Sequence, residues 1–335
     1  MAVINHVINM FKIIKYKCTI KVYNIDITKG GIPNYIIGID HGYGNCKTRN
    51  FCFRSGVAAY DKEPTFKENM LVYNNRYYLV GEEHKEFLPD KMADNDYYIL
   101  TLAAIAKELN NRHLTSAKVH IAAGLPLTWV SEQKETFKAY LMQNESADFV
   151  FKNISYHIEI VGVDIFPQGF SAVADRLREF KGVNMLADIG NGTMNVMYIN
   201  ECRPQEKKCF TEKCGTNQCI LQIRENIMRQ FGTKMDDTVI ERFIRAGKAD
   251  ISERYAKVIR ETAAEYVKGI FRILREHEYD SELMRLYVVG GGGCMIRNFG
   301  EYNPDRVVIN SDICATAKGY ERLAEIKLRR NGGAV

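Results

Sequence analysis

Tyr35-Ile36-Ile37-Gly38-Ile39-Asp40-His41-Gly42-Tyr43-Gly44-Asn45-Cys46-Lys47 is an apolar, β-branched run that ends on an aspartate and breaks into glycine. It reads as a buried strand turning through Gly and Asn into a second strand that reaches Phe53. The pattern returns at Val183 to Asp188, with Ile189-Gly190-Asn191-Gly192-Thr193 as the turn and a following strand to Asn200. Asp40 and Asp188 stand 148 positions apart in a chain of 335 residues. Self-similarity over half a chain points to two related domains, each offering the same turn.

The chemistry of such a turn is phosphate binding. Glycine lets backbone N–H groups approach an anion with no Cβ in the way. An aspartate at the strand end can hold Mg²⁺ through water, because Mg²⁺ keeps much of its hydration. Gly42, Tyr43, Gly44 and Asn45 are the candidates in the first turn, with Lys47 reaching a phosphate as a point charge. Gly190, Asn191, Gly192 and Thr193 are the candidates in the second. Two such turns suit a triphosphate gripped from both sides. A dinucleotide fingerprint is excluded: its last glycine position holds Lys47, and a strand follows instead of a helix. A P-loop is absent.

Either turn alone is an ordinary chain reversal. The pair gains weight from Tyr287-Val288-Val289, a core strand that runs into Gly290-Gly291-Gly292-Gly293 and then a helix-like stretch over 294–299. There a purine or ribose can lie against bare backbone.

Between the turns, helices are expected over 97–110 and 128–142, the second capped by Thr128, and strands over 118–123 and 155–166. Pro167-Gln168-Gly169 breaks the last strand, and 170–180 reads as a helix. Residues 57–97 are polar and Asn-rich, with a hairpin over 70–80 turning on Asn74-Asn75. Further helices are expected over 216–230, 236–245, 251–277 and 312–329, and a strand over 307–309.

With 46% hydrophobic and 26% charged residues the composition is globular, and a chain of this length buries a core without staples. A net charge of +5 spread over 46 basic and 41 acidic residues is too diffuse for direct nucleic-acid binding. Nine irregularly spaced cysteines argue against a disulfide framework and for a reducing, cytoplasmic setting. The Cys202, Cys209, Cys214, Cys219 cluster lacks zinc-ligand spacing. No apolar run is long enough to span a membrane. The first residues, interrupted by Asn, His and Lys, do not form a signal peptide. Residues 1–34 read as an N-terminal arm.

The ordered motifs Asp40-x-Gly-x-Gly-Asn-Cys-Lys47, Pro167-Gln168-Gly169, Asp188-Ile-Gly-Asn-Gly-Thr193 and Val289-Gly-Gly-Gly-Gly293 resemble those of the actin, sugar kinase and heat-shock chaperone ATPase superfamily. Within it the chain is similar to the ParM-type actin-like proteins that segregate bacterial plasmids. Ala123-Gly124-Leu125-Pro126-Leu127, the 57–97 insertion and the ending Asn310 to Tyr320 carry that likeness. It extends from about Tyr35 to Leu328.

The resemblance implies an α/β actin-like fold of two related domains around a nucleotide cleft, each a mixed sheet flanked by helices. Domain I would span 35–180 and be completed by the helix over 311–330; domain II would span 181–310. ATP and Mg²⁺ are the implied ligands, with Asp40 and Asp188 at the metal and the two turns on the phosphates. Gly290, Gly291, Gly292 and Cys294 would sit by the adenosine, and Lys213 and Asn217 near the base. Gln168 falls where the attacking water is oriented; several plasmid-segregating relatives carry Glu there, whereas this chain has Gln, as actin does. The implied activity is ATP hydrolysis coupled to filament growth and disassembly. The implied partners are further copies of the chain and a DNA-bound adaptor protein, with no membrane. A small-molecule kinase of the superfamily needs an acidic general base, and position 168 does not supply one. A cell-shape or division scaffold is the third reading.

Overall fold

The computed structural model describes residues 34–82, 92 and 95–331. The arm expected over 1–34 lies outside them except for Asn34, as does the 332–335 tail. Two compact units form, one of residues 34–177 with 314–331, the other Arg178–Ile313.

The first unit contains β1 (Asn34–His41), β2 (Asn45–Lys47), β3 (Cys52–Arg54), β4 (Val57–Tyr60), β5 (Met70–Tyr73), β6 (Arg76–Val80), α1 (Asp96–Asn111), β7 (Ser116–Leu125), α2 (Val130–Leu141), β8 (Ser146–Phe151) and β9 (Ile154–Pro167). Among the described residues its strands form one sheet in the order β3-β2-β1-β7-β9-β8-β5-β6-β4. β1 is paired parallel with β7 on one side and antiparallel with β2 on the other. A parallel pair needs a crossover between its strands, and helices then cover both faces. That is why β1 is apolar at nearly every position instead of alternating.

The two faces are distinguished by parity. Ile37, Ile39, Val119, Ile121 and Ala123 join the core that includes Tyr97, Leu100 and Leu109 of α1. Gly38 and Gly124, between them, meet the closing helix of the chain, Ala315–Asn331. A Cβ on Gly38 would lie 2.0 Å from Ala317 O, and one on Gly124 would lie 2.0 Å from the Tyr320 hydroxyl oxygen. At Gly38 the partner is backbone and has no room to give way. The Gly38 N–H faces the side that β2 leaves uncovered and donates to Glu321 Oε1 at 3.1 Å.

β9 changes parity. Its register against β7 slips between Val119↔Ile160 and His120↔Gly162, leaving Val161 as an extra residue that is 48% exposed. Before the slip Tyr156, Ile158 and Ile160 face the α1 core; after it Val163 and Ile165 do. A bulge of this kind exchanges the faces of every residue that follows. It thereby places Asp164 and Phe166 towards the closing helix, where Lys327 and Tyr320 meet them.

Three expectations change. The strand expected through Phe53 is two, β2 and β3, reversed at 48–51. The helix expected from Thr128 begins at Val130, after a 3₁₀ turn over Leu127–Trp129. The helix expected over 170–180 is only two 3₁₀ turns, Phe170–Val173 and Leu177–Glu179. There the closing helix comes so near that a Cβ on Gly319 would sit 1.9 Å from Ser171 O. Phe170, Val173 and Leu177 are buried without a continuous helical ladder.

The second unit contains β10 (Val183–Ile189), β11 (Met194–Asn200), β12 (Arg203–Pro204), β13 (Phe210–Glu212), α3 (Thr216–Phe231), α4 (Asp237–Ala246), α5 (Glu253–Glu276), β14 (Arg285–Val289), α6 (Gly293–Phe299) and β15 (Val307–Ile309). The closing helix is then α7. The sheet order is β12-β11-β10-β14-β15, with β13 beside β11. β10 is parallel to β14 and antiparallel to β11, and β14 is parallel to β15. In order and direction this repeats β3-β2-β1-β7-β9. Met185, Ala187 and Ile189 pack with Ile223 and Ile227 of α3 and with Ile259 and Ile270 of α5. Among the described residues no helix is long and apolar enough to cross a membrane.

Gly38→Ala is expected to lower unfolding free energy by about 1–3 kcal/mol or more through overpacking against Ala317. Gly269→Ala, in the middle of α5 with nothing within 4 Å of its Cβ position, is expected to raise it by about 0.5–1 kcal/mol. Urea unfolding checks both; equal effects of the two substitutions would contradict the packing described.

Candidate functional site

In the first unit Asp40 and Lys47 are directly opposite in the β1–β2 ladder. Opposed residues share a face, and Lys47 Nζ lies 3.1 Å from Asp40 Oδ2. Asp40 is 6% exposed. The other carboxylate oxygen, Oδ1, faces Gln168 Nε2 at 3.4 Å, a long contact. Pro167 ends β9, and the Gln168 N–H continues the ladder by donating to Leu125 O at 2.8 Å. Gly169, at φ 73°, then turns the chain away.

The turn between β1 and β2 is clamped from below. Ser55 donates through Oγ to Gly42 O at 2.6 Å and through N–H to Gly44 O at 3.2 Å. A Cβ on Gly42 would lie 2.7 Å from Asn45 O, so a bare Cα is required there. Gly44 is buried. Burial pushes the Tyr43 hydroxyl pKa up, which leaves it neutral and no proton acceptor.

Lys47 is followed by a second clamp. Glu108 of α1, fully buried, accepts Thr48 Oγ1 at 2.6 Å, Asn50 N–H at 3.0 Å, Asn50 Nδ2 at 2.9 Å and Arg112 Nη1 at 2.6 Å. Burial opposes its charge, but these donors outweigh burial and hold the carboxyl below its ordinary value.

In the second unit three segments meet at the carboxyl end of β10. Gly190 N–H closes the turn onto Thr193 O at 2.9 Å. The start of α3 docks on that turn: Thr216 N–H donates to Gly190 O at 3.1 Å and Asn217 N–H to Asn191 O at 2.9 Å. Thr216 Oγ1 lies 3.2 Å from Asn191 Oδ1. A Cβ on Gly215 would sit 2.2 Å from Asn191 O. From the other side Gly292 N–H donates to Ile189 O at 2.9 Å, and Gly290, at φ 84°, stands where a Cβ would meet Asp188 Oδ1 at 2.6 Å. Gly291 faces open space, with nothing within 4 Å of a Cβ. The Cys294 thiol, raised in pKa by burial, donates to Gly291 O at 3.0 Å and so braces the run. Lys213 is exposed, one residue beyond β13.

Each unit therefore presents an aspartate at the carboxyl end of a strand that has one parallel and one hairpin neighbour. Ligands of open parallel sheets bind outside those ends. The donor set suits a hard cation such as Mg²⁺. Asp40, with Lys47 on one oxygen and Gln168 on the other, fits a water-mediated contact, because direct ligation would displace one of them.

Sequence reading did not single out Ser55, Glu108, Gly215 or Thr216. Glu108 carried a signal, a carboxylate within the apolar stripe of YYILTLAAIAKELN. Gly215 carried another: Gln218 three residues later takes its N–H at 2.9 Å, as in a capping box.

Residues 38–170 match the family described as actin like proteins N terminal domain, and residues 186–299 match archaeal actin homologue MreB-like, C-terminal. Among solved structures, the apo pSK41 ParM protein is 17% identical with a TM-score of 0.66, over 89% of this chain and 98% of that one. The archaeal actin homolog Ta0583 in complex with ADP is 20% identical with a TM-score of 0.68, over 87% and 99%. The Alp12 filament structure is 16% identical with a TM-score of 0.62, over 88% and 99%. No curated protein matches the sequence.

Because Glu108 is held below its unfolded value of 4.5, its stabilisation is complete above that pH and is lost as pH falls through the lower folded value. Glu108→Gln is expected to cost about 1–3 kcal/mol at neutral pH by leaving donors unsatisfied, with the gap from wild type closing in acid. Urea midpoints across the acid range check this; a gap that widens on acidification contradicts it.

Proposed function

Since the chain belongs to the actin-like proteins, we propose that it binds ATP with Mg²⁺, assembles into filaments and hydrolyses the ATP within them, and that this cycle segregates plasmid DNA through a DNA-bound adaptor protein. The observation that carries the proposal is the repeated strand–turn–strand, with Asp40 and Asp188 in the same topological position of two equivalent sheets. A fold relative holding ADP and another solved as a filament support nucleotide binding and self-association.

Gly42 and Asn45, with Lys47, bind phosphate oxygens, as do Gly190, Asn191, Gly192 and Thr193. Asp40 and Asp188 hold the cation through water. Mg²⁺ supplies neutralisation of phosphate charge. Gly290, Gly291 and Gly292 seat the nucleoside, Cys294 bracing them, and Lys213 and Asn217 lie towards the base.

Gln168 orients the attacking water. With its Nε2 turned to the Asp40 carboxylate, its Oε1 is the end left to accept a water O–H. An amide takes no proton at neutral pH, so its contribution is positional.

Gln168→Ala is expected to bind ATP and polymerise, but to release phosphate about 10²–10³-fold more slowly and to leave filaments that persist. Light scattering beside phosphate release checks this; wild-type decay and release would refute the role. Gly291→Val is expected to fold with an unchanged urea midpoint and to weaken ADP binding by about tenfold or more, since its side chain enters open space where a ligand would lie. Undiminished ADP affinity in that variant counts against the nucleoside seat.

A further inference from the structure

A cavity of about 280 Å³ lies wholly within the second unit, between the C-terminal half of α5, residues 279–281 and the 301–307 segment that enters β15. It shares no residue with the glycine turns. Its walls combine two chemistries. Val267, Phe271 and Tyr302 supply an apolar and aromatic surface. Exposed Lys268 and Arg275 and half-buried Arg306 supply three cations, and among the described residues none of the three is held in an ion pair. Against them the lining holds one carboxylate, the exposed Glu301.

Tyr279 is the unusual member. It is 5% exposed, and its hydroxyl is buried with no hydrogen-bond partner. A buried hydroxyl without a partner is costly and calls for a reason. Its ring packs against Phe271, 6.5 Å between centroids, and Arg306, then Asp280 with the opposite sign, then Arg275 act on it electrostatically. Burial raises the Tyr279 pKa, so the group stays protonated and donates.

We propose that this cavity binds a small organic anion with a flat apolar body, an aromatic carboxylate or phosphate ester. The anionic head sits between Arg275 and Arg306, and the Tyr279 side chain shifts to bring its closed-off hydroxyl to the head as a donor. The body lies against Phe271 and Tyr302. The volume suits one ring and its head group, at the small end of ligand pockets. A charge-assisted bond from a buried donor explains the unpartnered hydroxyl.

The test is calorimetric titration of the full chain with phenyl phosphate, benzoate, inorganic phosphate and neutral benzyl alcohol, each with and without saturating ADP. One or both aromatic anions are expected to bind saturably with ADP present, more tightly than inorganic phosphate or benzyl alcohol; which one binds identifies the head group. Tyr279→Phe is expected to bind about tenfold more weakly with no loss of thermal stability, and Arg306→Gln more weakly still, because bonds to charged groups are the strong ones. Absence of saturable binding by both aromatic anions overturns the proposal. So does competition by ADP, or affinity unchanged in Tyr279→Phe, which removes one oxygen and keeps the ring. Binding of an acidic peptide with both aromatic anions inert also overturns it, since the cavity would then be a protein-docking point.

Discussion

Each unit depends on one strand that is paired parallel on one side and closed by a hairpin on the other. Parallel pairing forces a crossover helix and buries both faces, so β1 and β10 are mostly apolar ahead of their aspartates. The hairpin folds back at the same carboxyl end, where the strand's next-to-last residue and the turn's backbone lie side by side. Asp40 and Asp188 occupy that position in two sheets of the same order and direction. The position of the aspartates is a consequence of topology.

The second constraint is close approach. At Gly38, Gly319, Gly215 and Gly290 a neighbouring carbonyl or carboxylate stands where a Cβ would be. Three of these contacts do different work. Gly38 lets α7 lie on β1, where Glu321 completes a strand N–H that β2 leaves open. Gly215 lets the start of α3 donate its N–H groups into the 190–192 turn. Gly290 lets the glycine run close over Asp188. Gly291 alone in its run faces open space, and that asymmetry separates the glycines that build the site from the one that leaves room in it.

Polar groups buried behind the turns set their shape. Glu108 reaches from α1 to the 48–51 reversal, and Ser55 holds the carbonyls of Gly42 and Gly44. Neither residue faces the open side of the turn. Lys47 is held between these two clamps with its ammonium on Asp40.

The repeat of Asp, glycine and second strand was legible because it is local: apolar runs, turn residues and their spacing lie within a dozen positions of each other. The helices at 96–111, 216–231 and 253–276 were legible for the same reason, through their period. What resisted reading was decided across the chain. Residues 170–180 carry a helical pattern, yet α7 arriving at Gly319 leaves them as short turns. The bulge at Val161 is a slip in the alternation of β9 whose meaning depends on β7 being its partner. Without it Asp164 and Phe166 would face the α1 core, and the 167–169 segment would leave the sheet on the wrong side for Gln168 to reach Asp40. By itself, then, the amino-acid sequence determined which segments are strands and turns and where the two aspartates stand, because short-range sterics and hydrophobic periodicity are written locally. Only the tertiary structure decided which face each strand turns to its neighbours and which side chains meet, because register and close packing are properties of pairs of segments far apart in the chain.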